Sequence, residues 1–374
     1  MADIEFVDEY SDGIAADDEL TPRPQQGYPR WAIGAAVTLL VAGVVVAVAS
    51  KKQDVPRQPT AADSSLRPAP TIGNTLTPEP RGLGLDLDGE TPSEPVLAVA
   101  ASARDSWVLR LSTIVLTSPA ITRTSALSAP ADFSSARLVV DRGADRLWAV
   151  FLTDGGATVI LDRASTLSPV TQFGVGGVVR DVAALAGRLY LAVGDRILEL
   201  APNGAVRPLA RPMAGVPVGH VVADPSRHRL LAVGTGVRGS RLWAVAVPSG
   251  AMTVRRVSTS IAVTLAVAGS GAIWLAGQDG GDGVLMALDP RTLGPTTHSA
   301  LDPILVPRAS LTAGGQHVVW VHDGMGSVLR CVDAATGNQL QSWSVVGPVA
   351  SAAGAAVLGY GTRAVTLSLH ACTG

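Results

Sequence analysis

Lysine is almost missing from this chain: among 374 residues only Lys51 and Lys52 carry an ammonium group, so every cation beyond them is an arginine. Cysteine is equally scarce. Two cysteines in a chain of this length exclude a disulfide-dense miniprotein, and no CxxC, HExxH or clustered Cys/His spacing supplies a zinc site. Charged residues make up only 16%, well under the roughly 25% of ordinary soluble domains. A mean hydropathy of +0.31 excludes a disordered chain. Such a composition calls for a membrane segment, a large buried β core, or both.

What charge there is lies in separate blocks. Residues 1–30 hold two arginines against eight acids, giving −6; residues 51–95 come to −2, and residues 96–374, with 22 arginines and 16 acids, to +6. The first block reads as an acidic, solvated tail able to dock a basic cytoplasmic partner. The arginines of the last block stand singly in hairpins and form no stripe, so nucleic acid is not an expected partner. Arginine in place of lysine suits anion recognition, but a GC-biased genome produces the same replacement, and that is the reading adopted.

Between tail and remainder, Trp31 to Ser50 is an uncharged run of twenty residues. As a helix it spans about 30 Å, the thickness of a bilayer's hydrocarbon core. It reads as a single transmembrane helix, flanked by Arg30 and Trp31 on one side and Lys51 and Lys52 on the other. The long acidic region before it argues against a cleaved signal peptide. The local lysine and arginine count alone favours a cytoplasmic C-terminal domain, but long domains translocate largely regardless of charge. The expected topology is a cytoplasmic N-terminus and an extracytoplasmic domain at the plasma membrane. Residues 51–95 are rich in proline, as a stiff spacer requires.

Residues 96–374 repeat. A short apolar strand recurs around Trp107, Trp148, Tyr190, Leu231, Trp274, Trp320 and Leu358, at spacings of 41, 42, 41, 43, 46 and 38 residues. Before each centre lies a strand of small apolar residues, as in VRDVAAL. After it comes a third strand ending in a turn signal, as in VILDRAS or LMALDPRT, and then a more polar fourth strand. This period, without helical pattern inside it, predicts an all-β fold: a seven-bladed β-propeller of four-stranded antiparallel blades. The seventh unit runs out after three strands, and LGLDLD at 83–88, alternating apolar and acidic, is the expected ring-closing strand.

The units VDAATGNQLQSW at 332–343 and LDPRTLG at 288–294 resemble the repeats of bacterial quinoprotein-like (PQQ-like) and YVTN-type β-propellers. Quinoprotein dehydrogenases imply eight blades, a bound quinone, calcium ligands and adjacent cysteines. This sequence has seven units and no adjacent cysteines, so no cofactor is expected.

Residues able to do chemistry are few. Asp279, Asp282 and Asp323 adjoin glycines in expected hairpins and read as turn formers rather than as the carboxylate pair of a glycosidase. His220, His228, His317, His322 and His370 are scattered, and no G-x-S-x-G elbow accompanies them. No catalytic residue or metal ligand is assigned. Propeller geometry gathers Arg180, His220 and Arg308, before first strands, and Arg238, Asp279, His322 and Asp323, after second strands, at one mouth of the central channel. Cys331 and Cys372 fall in adjacent units and are candidates for a disulfide. The expected function is a non-catalytic scaffold recognising a protein or cell-envelope component. The alternative is a sensor for a small anion or glycan at the mouth, with an enzyme ranked last.

Overall fold

The computed structural model describes residues 94–367, with short gaps at 103, 258–260, 268–272, 280–281, 302–309, 314–317, 324–327, 334–337, 345–348, 353–354 and 361–362. Within them the chain is a succession of antiparallel meanders. The first blade comprises β1 (Ala98–Ala101), β2 (Ser106–Leu109), β3 (Thr113–Ser118) and β4 (Ile121–Ala126). The second is β5 (Ser135–Asp141), β6 (Arg146–Thr153), β7 (Gly156–Arg163) and β8 (Pro169–Gly176). The third holds β9 (Val179–Leu185), β10 (Arg188–Val193), β11 (Arg196–Leu200) and β12 (Val206–Ala210). The fourth holds β13 (His220–Asp224), β14 (Arg229–Gly236), β15 (Gly239–Ala246) and β16 (Met252–Arg256). In the fifth are β17 (Ile261–Val267), β18 (Ile273–Asp279), β19 (Asp282–Leu288) and β20 (Pro295–Leu301), and in the sixth β21 (Ser310–Ala313), β22 (Val318–Asp323), β23 (Val328–Asp333) and β24 (Gln339–Ser344). A last sheet has three strands, β25 (Val349–Ala352), β26 (Ala355–Tyr360) and β27 (Arg363–Leu367).

The expectation of seven four-stranded blades is therefore corrected: six blades are complete, and the last sheet stops at three strands among the described residues. After Ser344 the described residues form three strands, one short of a blade. The proposed closing strand 83–88 lies outside the described residues. So do the tail, the apolar run 31–50 and most of the spacer, and no helix among the described residues is long and apolar enough to cross a membrane.

Burial follows strand order. The second strands bury both faces: β6, RLWAVFLT, has six consecutive buried residues. The fourth strands face solvent, as in ITRTSA of β4, where a polar, β-branched edge is tolerated. Small residues dominate the first strands because these approach one another. β1, β5, β9, β13, β17, β21 and β25 touch in that order, and β25 returns to β1. The core is divided into slabs between neighbouring sheets. Trp107, Leu109 and Ile114 of the first blade pack with Leu147 and Phe151 of the second. Trp148 meets Leu189 and Leu191, Tyr190 meets Trp243, and Trp274 meets Val319. Each centre named from the repeat lies in a second strand. The Trp107 indole donates to the Ala164 carbonyl at 2.9 Å, whereas the buried indole nitrogens of Trp148, Trp274 and Trp320 have no hydrogen-bond partner among the described residues.

Candidate functional site

First strands begin, and second strands turn into third strands, at the same end of each blade. Val179 of β9 pairs with Val193 of β10, His220 of β13 with Val233 of β14, and Ser310 of β21 with His322 of β22. This mouth face is where the sequence places its candidate ligand residues.

A chain of polar side chains crosses four consecutive first strands there. Arg137 of β5 approaches Asp181 of β9, Nε to Oδ1, at 4.0 Å. The other carboxylate oxygen of Asp181 accepts from the Val221 N–H at 2.9 Å and lies 2.5 Å from Nδ1 of His220 on β13. Nε2 of the same ring faces Oγ1 of Thr264, on β17, at 3.3 Å. A carboxylate on Nδ1 fixes the proton on that nitrogen, which leaves Nε2 of a neutral ring to accept from the Thr264 hydroxyl. Burial pulls the Asp181 carboxyl upward, but His220, the Val221 N–H and Arg137 outweigh it and hold the group below its ordinary value.

Carboxylate, imidazole and hydroxyl follow one another here in the atom order of a nucleophilic triad. Exposure decides against that reading. Thr264 is 1% exposed and Asp181 7%, so no acyl group reaches the hydroxyl. The chain ties strands together.

Of the residues singled out from sequence, His220 alone enters this chain. Arg180 on β9, Arg238 in the β14–β15 turn and Asp279 at the end of β18 reach the same face but are exposed, and no described hydrogen bond or ion pair joins them to one another. His322 is half-buried near the end of β22, and Asp323 closes that strand. Arg308 lies outside the described residues. Cys331, fully buried on β23, is disulfide-bonded; Cys372 lies outside the described residues. No group of three or more His, Cys, Asp or Glu among the described residues could hold a metal ion. Sequence reasoning missed Arg137, Asp181 and Thr264. The available signal was an ionisable or hydroxyl residue interrupting first strands otherwise built from Ala, Val and Leu.

Around this chain the loops of the third and fourth blades form a braced platform. Asp195, in the β10–β11 turn, accepts from Nε and Nη2 of Arg211 at 2.9 and 2.7 Å and from the Gly215 N–H at 3.0 Å. Those contacts hold its carboxyl below the ordinary value. The Val218 N–H donates to the Gly194 carbonyl at 2.8 Å. A Cβ built on Gly234 of β14 would stand 2.4 Å from the Pro217 carbonyl oxygen, so loop 211–219 is seated directly on the strand.

The fold is a β-propeller. The chain resembles Staphylococcus aureus virginiamycin B lyase (TM-score 0.55, 12% identity, 76% of this chain and 97% of that one). It also resembles the Swd1 β-propeller domain of Myceliophteria thermophila (0.57, 14%, 74% and 98%) and the RRP9 WD40 repeats (0.56, 12%, 76% and 97%). At these identities the likeness concerns the fold alone. No family model and no curated protein matches the sequence.

Proposed function

We propose that this propeller is a non-catalytic scaffold that binds a protein or cell-envelope component through its mouth face. One observation carries the reading. The ionisable groups at the first strands, Asp181 and His220, are committed to one another and to Thr264, while the loops around them turn arginine and apolar side chains outward. An enzyme or small-ligand sensor needs its converging polar groups open to the ligand. Propellers of the WD40 kind among the structural neighbours accord with a protein partner.

The scaffold sits on the outer side of the plasma membrane, anchored by residues 31–50 and raised by the proline-rich spacer. The uncharged sequence of that run supports this placement, and so does the disulfide at Cys331, a bond favoured in oxidising compartments. The test is affinity purification of the tagged full chain from detergent-solubilised native membranes after mild crosslinking. The expected result is specific recovery of one or a few proteins or envelope polymers. Recovery of nothing, together with saturable binding of a small anion or glycan, overturns the reading. Protease added to intact cells should cleave the propeller; protection of the propeller in intact cells, with cleavage only after lysis, overturns the placement.

A further inference from the structure

We infer that the mouth face over the third and fourth blades is the docking surface, and that its partner is an acidic polypeptide segment carrying apolar side chains. This rests on the scaffold reading and specifies where and what it binds.

Three aliphatic side chains stand in water on this face: Val178 (56% exposed), Met213 (41%) and Val237 (108%). They belong to one connected set of loops. Val178 follows Gly177, where a Cβ would meet the Val193 side chain at the end of β10. The residue after Val193, Gly194, accepts from the Val218 N–H. Val216 of the same loop lies against Gly236, next to Val237, and its N–H donates to the Met213 carbonyl at 3.1 Å. Exposed aliphatics on a braced, contiguous platform mark an interaction surface.

Charge selects the partner. Segments 176–181, 193–196, 211–221 and 233–241 contain five arginines and two acids. Both acids are already engaged, Asp181 with His220 and Asp195 with Arg211. Arg180 and Arg238 are exposed and have no ion pair among the described residues. Planar guanidinium groups flanking aliphatic contacts match carboxylate side chains interspersed with apolar ones. A single-stranded nucleic acid would be met by stacking aromatics, and a bilayer surface would favour interfacial tryptophan or tyrosine; these segments contain neither.

The test titrates the full chain in detergent with a fluorescent peptide of alternating glutamate and leucine, and with its lysine and leucine counterpart. Saturable binding of the acidic peptide is expected, weakened by salt and at least tenfold weaker in the variant Arg180→Glu, Val237→Asp, Arg238→Glu. All three positions are exposed, and an unchanged circular dichroism spectrum and melting midpoint verify the fold. Equal affinity of variant and parent, or equal binding of the basic peptide, overturns the assignment. So does binding of the parent to phosphatidylglycerol vesicles in preference to the acidic peptide. Repeating the native purification with the variant separates the two proposals. Partners retained by the variant leave the scaffold standing and remove this surface, whereas partners absent even from the parent remove the scaffold itself.

Discussion

Asp162 occupies, in the second blade, a place that other blades fill with an aliphatic side chain. It lies opposite Leu147 in the β6–β7 ladder, as Leu200 lies opposite Leu189, Val245 opposite Leu230, Leu288 opposite Ile273 and Val332 opposite Val319. Asp162 is 4% exposed, and no described hydrogen bond or ion pair reaches its carboxylate. Burial raises its pKa from 3.8 to about 6. The unfolded chain therefore ionises first as pH rises, so stability falls between about pH 4 and 6 and the full penalty applies above 6. A pKa difference of that size between folded and unfolded chain corresponds to about 3 kcal/mol. Asp162→Leu should recover much of this at pH 7.5 and little at pH 4, read by urea denaturation at both values; an equal gain at both pH values would contradict the argument. Glu199 shows the opposite arrangement. Fully buried, it sits between Arg188, at 2.5 Å, and the paired nitrogens of Arg207, at 2.9 and 2.8 Å. Burial and this carboxylate together push the neighbouring Tyr190 phenol to about 12. Sequence reading treats the aspartate of VILDRAS as a turn former. It fails because β7 continues to Arg163, with a register shift beside Asp162 absorbing the irregularity.

At the scale of strands and loops, the repeat made the elements legible. The first, second, third and fourth strands lie where small-apolar, bulky-centred, turn-terminated and polar segments predicted them. The platform was not legible, since its contacts bridge separate loops, through side chains where Arg211 meets Asp195 and through backbone where Val218 meets Gly194, and no local residue pattern encodes such pairings. Gly234 is the point of closest approach. An alanine there would place its Cβ 2.4 Å from the Pro217 carbonyl oxygen and 2.9 Å from the Trp243 ring. A carbonyl fixed in the backbone cannot swing aside, so Gly234→Ala should cost about 1–3 kcal/mol. Gly174→Ala, with nothing within 4 Å of its Cβ, should be close to neutral. Thermal melts of both variants make the comparison, and equal midpoints would show that loop 211–219 yields freely.

For the whole molecule, what matters is that neighbours support each other in a circle. Val96, Val99 and Val108 of the first blade share a core slab with Ala364 of the last sheet, so the two ends of the described chain stabilise each other. Ending the chain after Ser344 removes that cover. Blade one should then bind a hydrophobic dye and become the first site of proteolysis, with unfolding spread over a wider denaturant range. A truncated chain that melts as sharply as the parent would mean that each sheet is stable without its neighbour. Periodicity foretold the order of units around the circle and that the chain runs out after three strands of the last one; the fourth strand expected from 83–88 lies outside the described residues.

The second-strand aromatics have an optical consequence. Trp107, Trp148, Trp274 and Trp320 sit in four different blades, each 6% exposed or less. Their emission should be shifted toward the blue and hidden from aqueous quenchers. Variants retaining one indole at a time would let fluorescence report which sector of the circle opens first.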